Sequence, residues 1–177
     1  MTAAEREFVL KHLYEGRDSF LRAIAGLSEA QLNFKSQPDR WSIADCMEHI
    51  AMAEDAMFAG VTTGAPNPNG VSLAPEKYDR LVAAVVNRGH RLVAPEVMHP
   101  ASHFGSAAEA SHHFQESRER AITFARECPD DLRHLFMVHP LLGEIDCYRC
   151  LLLLALHPAR HAAQIEEIKQ DAAFPQG

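Results

Sequence analysis

Apolar residues recur at three- and four-residue steps through most of this chain. Between residues 2 and 27, Val9, Leu13, Phe20, Ile24 and Leu27 repeat with Glu, Lys and Arg between them, which predicts a long helix that buries one face. Residues 28–31, S-E-A-Q, have the form of a capping box, so a short helical turn should follow the break near Gly26. The run Gln37-Pro38-Asp39-Arg40 reads as a loop. A second helix should start at Trp41-Ser42-Ile43-Ala44-Asp45 and reach about Ala59. There Ser42 can accept from the Asp45 amide, and the Asp45 carboxylate suits the positive helix end. Ile43, Cys46, Met47, Ile50, Ala53 and Met57 then face inward, and His49 falls within the same stripe.

The second half alternates in the same way between periodic and irregular stretches. Residues 60–75 are rich in Gly, Pro, Asn and Thr without periodicity, which suggests a long crossover and a candidate rim or lid. The L-V-A-A-V-V run within 76–87 fits strand or helix, and its helical surroundings favour helix. Residues 89–106, with Pro95, Pro100 and Gly105, read as loop. Ser106-Ala-Ala-Glu109 is a further capping box, opening a third long helix to about Cys128, with Ala110, Phe114, Ile122 and Phe124 inward and Pro129 as its stop. Residues 130–142 form a connection, and 143–169 read as the fourth long helix, whose Leu151-to-Leu154 run must be buried. Four long amphipathic helices with two long connections predict an all-α fold, a four-helix bundle with long crossover connections, as a single domain over residues 1–177.

Composition narrows the function classes. A chain of 177 residues with 47% hydrophobic content can build its own core. Its net charge of -7 opposes binding to nucleic acid and to anionic membranes, and the longest apolar run, 150–156, is too short to span a bilayer. The first residues lack a basic region followed by an apolar one, so a cytoplasmic location is the expectation. Four cysteines in so long a chain read as reduced thiols rather than as a disulfide frame.

Histidine is the residue that changes the picture. On the fourth helix His157 and His161 stand four residues apart, one turn above each other, and can share a metal ion. With His49 from a neighbouring helix they supply three neutral nitrogen ligands and leave a coordination position open, the arrangement of a catalytic site. Imidazole donors favour zinc or nickel over magnesium or calcium. The competing reading makes His49 a core histidine bonded to a backbone carbonyl and the His157/His161 spacing an accident. Pro158 weighs on the same side, because it disfavours helical dihedrals at His157 and removes one main-chain bond, costing ~3 kcal/mol in a regular helix. Cys150 and Gln164 lie on the same stripe and are candidate pocket or supporting groups. The Cys147/Cys150 pair otherwise reads as small buried residues. Glu48 should point away from the site, and His112, His113, His134 and His139 share no periodicity with the trio and are expected in solvent.

The segments R-W-S-I-A-D-C-M-E-H-I-A-M-A-E at 40–54, H-P-L-L-G at 139–143 and L-H-P-A-R-H-A-A-Q-I at 156–165 together resemble the DinB-like superfamily, over almost the whole chain. That resemblance implies a four-helix bundle, a divalent metal on three histidines that map onto His49, His157 and His161, and frequently a homodimer. The better understood members of the superfamily are thiol transferases of bacillithiol and mycothiol metabolism, and others carry names such as metal-dependent hydrolase. The resulting expectation is an enzyme that activates a low-molecular-weight thiol or a water against a small-molecule substrate, or else a non-catalytic module that binds metal or a small ligand in a stress response.

Overall fold

The computed structural model describes residues 1–89 and 93–176, so part of the loop expected over 89–106 and the terminal Gly177 lie outside the described residues. Four long helices form where the apolar periodicity places them: α1 (Ala3–Ile24), α3 (Ile43–Thr62), α5 (Ala107–Glu127) and α6 (Cys147–Lys169), with a single turn α2 (Glu29–Leu32) after α1. Their starts are chemically marked. Thr2 with Glu5, Ser28 with Gln31 and Ser42 with Asp45 make complete capping boxes, and Ser106 accepts from the Glu109 amide. The ambiguous L-V-A-A-V-V run is helical, within α4 (Tyr78–Val86).

One helix boundary differs from expectation. Residues 143–146 are not the first turn of the last helix but a strand, β3 (Gly143–Asp146), which pairs antiparallel with β2 (Leu135–His139); β1 (Ala65–Pro66) completes a sheet of order β1-β2-β3. Gly143 adopts φ +68 at the hairpin turn, a left-handed conformation that glycine tolerates, and the register Met137↔Ile145 and Val138↔Glu144 alternates the two faces. Asp146 then caps α6 by accepting from the Arg149 amide at 2.8 Å.

Helix α6 packs between α1 and α3, and α5 closes the ring against the same two neighbours. Helices α1 and α6 run parallel: the Tyr148 hydroxyl donates to the Glu5 carbonyl near the start of both, and Gly16 faces the Ala155 carbonyl further along both. A Cβ at Gly16 would drive into that carbonyl oxygen, so a residue without a side chain sets this close approach. Helix α3 runs antiparallel to α6, with Met57 beside Cys150 at one end and His49 beside His157 further on. It runs parallel to α5, as the contacts of Asp55 with His113 and Ser117 and of Phe58 with Phe124 require. Parallel neighbours cannot be joined by a tight turn, which is why the chain between α3 and α5 is long and carries α4 along the side of α6.

The core is divided. One apolar block, around Leu13, Ile122, Tyr148 and Leu151 to Leu154, lies at the sheet end; another, around Phe20, Ile43, Ile50, Phe114, Ile165 and Ile168, fills the opposite end. Between them sits a buried polar layer. Arg118 on α5 is fully buried, donates from Nη2 to Glu54 Oε2 at 2.8 Å and places Nε 2.7 Å from Glu54 Oε1. Burial pushes the Glu54 carboxyl up to about 7 against the pull of that guanidinium.

Candidate metal centre

The capping box at Ser42 fixes the start of α3, and two turns later its buried stripe delivers His49 to the boundary between the two core blocks. Helix α6 arrives antiparallel and remains helical through Pro158, so His157 and His161 keep their one-turn spacing. The structure thus brings His49, His157 and His161 together: one ligand-capable atom from each lies within 4.8 Å of the others, and among the described residues no carboxylate or thiol joins the group.

The ring geometry suits shared coordination. Nε2 of His157 and Nε2 of His161 are 3.1 Å apart. Two nitrogens each about 2.0–2.1 Å from one ion are separated by roughly 2.9 Å at a right angle and 3.4 Å at the tetrahedral angle, so the observed spacing falls between the two. His49 places its Nδ1 2.9 Å from the Met98 carbonyl oxygen. Because a carbonyl only accepts, Nδ1 carries the proton and Nε2 keeps its lone pair, the arrangement usual for a metal-binding histidine. The expectation of a backbone-bonded core histidine therefore holds for one ring nitrogen of His49 and leaves the other free.

Burial lowers the pKa of His49, and it holds His157 and His161 well below the ordinary histidine value, each further depressed by the neighbouring rings and nearby arginines. The rings are consequently neutral donors at physiological pH. Among the described residues, Nδ1 of His157 and Nδ1 of His161 are buried without a hydrogen-bond partner. Three neutral nitrogens converging in a largely buried layer fit a borderline divalent cation. His49 and His161 are nearly sealed, whereas His157 is partly exposed and marks the side from which a ligand could approach.

Other side chains around the rings were not singled out by periodicity. Trp41, just before the Ser42 cap, stacks on His161 at 6.2 Å and 17° and lies 4.7 Å from His49, covering both. Glu48 does point away from the rings, and its carboxylate accepts from the amides of Ala101, Ser102 and His103, pinning the segment that carries Met98. The rim of the site is accordingly the segment 98–103 of the second connection and not residues 60–75, whose Asn67 and Leu73 bond to Glu144 and Asp146 at the sheet end, where α3 has already left the histidines. The signal for the second connection was present in the sequence as Glu48 beside His49, but its partners are backbone amides that leave no side-chain pattern.

Gln164 lies one turn beyond His161 and accepts from Arg88 Nη1 at 3.2 Å; Arg88 also grips Glu167 at 2.7 and 2.8 Å. Arg160 Nη1 donates to the carbonyls of Val85 and Asn87, so both arginines tie the end of α4 to the histidine-bearing half of α6. Cys150 stands apart from the trio, fully buried in the sheet-end block with Sγ toward the Met57 carbonyl, and burial raises its thiol to about 12. Of the histidines expected in solvent, His112 and His134 are exposed, while His139 is half-buried and His113 is partly buried against Asp55 at 2.5 Å.

Comparison with known proteins adds three findings. The sequence profile of the DinB superfamily matches residues 12–165. YuaE of Bacillus subtilis strain 168, an uncharacterized protein, is 23% identical over 159 residues, covering 88% of this chain and 94% of its own length. Among solved structures, YfiT from Bacillus subtilis aligns over 99% of this chain and 91% of its own with a TM-score of 0.63 at 16% identity; it is described as "a probable metal-dependent hydrolase with an unusual four-helix bundle topology".

Proposed function

The chain belongs to the DinB superfamily, and from that premise we propose that it is a divalent-metal-dependent enzyme whose ligands are His49, His157 and His161. The reading is carried by one observation, the convergence of three neutral imidazoles from two antiparallel helices with their ligand atoms within 4.8 Å. Zinc or nickel suits such donors. His49, His157 and His161 would hold the ion, which would supply Lewis-acid chemistry able to lower the pKa of a water or a thiol towards neutrality.

The protein's own groups do the positioning. Met98 orients His49, burial keeps His157 and His161 unprotonated, and Trp41 shields two of the rings from bulk water. The nucleophile comes from solution: among the described residues no thiol joins the three rings, and burial raises Cys46 and Cys150 to about 12 and Cys147 to about 11. Two reactions share this machinery: hydrolysis by activated water, and addition of a low-molecular-weight thiol to a small electrophile. The description of YfiT favours the first, and the resemblance of the sequence motifs at 40–54, 139–143 and 156–165 to the DinB-like superfamily, whose better understood members are thiol transferases, favours the second.

Metal content of the purified protein, measured before and after reconstitution with zinc, nickel or cobalt, tests the ligand set. Less than about a tenth of an ion per chain after reconstitution overturns it, since a three-nitrogen catalytic site should fill to near stoichiometry. The loaded protein is then assayed against esters and amides without thiol, and against haloarenes and epoxides with low-molecular-weight thiols. Turnover in the first set alone selects the hydrolase, turnover that requires thiol selects the transferase, and stoichiometric metal with neither leaves a binding protein.

A further inference from the structure

Pro158 lies inside α6, between the two histidines, and has no amide proton to give the carbonyl of Leu154. That carbonyl is not left empty. Arg118 Nη2 donates to Leu154 O at 3.0 Å, and Nη1 reaches Ala155 O at 3.5 Å and Leu13 O at 3.3 Å. The same guanidinium holds Glu54 on α3, five residues beyond His49. One fully buried side chain on α5 therefore occupies the gap in the α6 ladder and connects it to α3, one turn before His157.

We propose that Arg118 is a positioning residue for the metal centre, standing in for the helix bond that Pro158 deletes, with Glu54 holding its guanidinium in place. The proposal rests on the reading of the three histidines as ligands. Its physical basis is that a proline disfavours helical dihedrals at the residue before it, here His157, and that a freed carbonyl with a buried donor aimed at it has one preferred place. Arg118 presents a rigid planar fork that can serve a carboxylate and main-chain carbonyls at once, which a lysine ammonium cannot reproduce. Glu54 keeps that fork charged and oriented in the apolar interior.

The test is a cobalt titration of four full-length proteins: the wild type, Pro158→Ala, Glu54→Leu/Arg118→Leu, and the triple variant. The dissociation constant and the visible Co²⁺ spectrum are read together, well below each protein's melting temperature. Removing the pair should weaken Co²⁺ binding by about 10- to 100-fold, the range for lost supporting contacts around metal ligands, and should alter the spectrum. Alanine at 158 restores the amide donor, so the triple variant should return to within a few-fold of Pro158→Ala alone.

A pair variant that binds Co²⁺ as tightly as the wild type overturns the proposal. So does a loss that alanine at 158 does not restore, because the pair then acts through packing alone. A wild type that binds no Co²⁺ overturns the ligand reading itself and this proposal with it, which separates the two failures. If the pair variant does not fold, Arg118→Lys in the presence and absence of Pro158→Ala replaces it, with the same weakening and the same rescue expected.

Discussion

His49 donates its Nδ1 proton to the main-chain carbonyl of Met98 at 2.9 Å, so one ring of the candidate centre is oriented by a loop and not by the helices that pack around it. The loop is held in turn by Glu48, the residue next to His49, through three amides at 2.8 to 3.1 Å. Orientation of the ring and closure of the rim are thus coupled through adjacent residues of α3.

Glu48→Ala should release that segment. Three charge-assisted bonds to one partly exposed carboxylate, discounted for solvent screening, place the loss at about 1–2 kcal/mol of stability. Metal affinity should fall as His49 loses its fixed tautomer. Limited proteolysis should show new cleavage at 98–104 with the bundle intact; an unchanged cleavage pattern contradicts the coupling.

His161→Ala should reduce metal content after reconstitution to background. Saturating metal raises the wild type's melting temperature by mass action, about 2.7 kcal/mol at one hundred times the dissociation constant, and should leave the variant's unmoved. Calorimetry with and without added zinc checks this.

The metal-free protein should lose stability as pH falls. His49, His157 and His161 have native pKa values below the unfolded value of about 6.5, so below that pH the unfolded chain binds protons that the native state does not. Stability is complete above that value and declines beneath it by about 1.4 kcal/mol per pH unit for each histidine that stays neutral. Urea midpoints from pH 7.5 to 5 should show this slope, and His157→Gln/His161→Gln should flatten it.

Gly16→Ala places a methyl group against the Ala155 carbonyl oxygen, where α1 and α6 run parallel at close range. The two helices must separate, at about 1–3 kcal/mol. Thermal melting measures the loss, and a wild-type melting temperature would show that the contact can relax freely.

The bundle was largely legible in the sequence because its information is local. Val9, Leu13, Phe20, Ile43, Ile50 and Phe114 are buried where three- and four-residue spacing puts them, and Ser28, Ser42 and Ser106 mark helix starts through bonds that span three residues. The sheet leaves no comparable signal, because β2 and β3 are short and Gly143, whose positive φ makes the turn, stands only a few residues before the helical pattern of 147–169.

The sequence by itself determined which residues form helices and which of their faces are buried, including the stripes that carry His49 and the His157/His161 pair. Only the tertiary structure decided that these stripes meet, that Met98 reaches His49 from a loop, and that Arg118 occupies the carbonyl beside Pro158. Helical periodicity is set by neighbours a few residues away, whereas these bonds join groups 36 to 64 positions apart in the chain, and a partner at that separation is chosen by packing and leaves no periodic trace in the sequence.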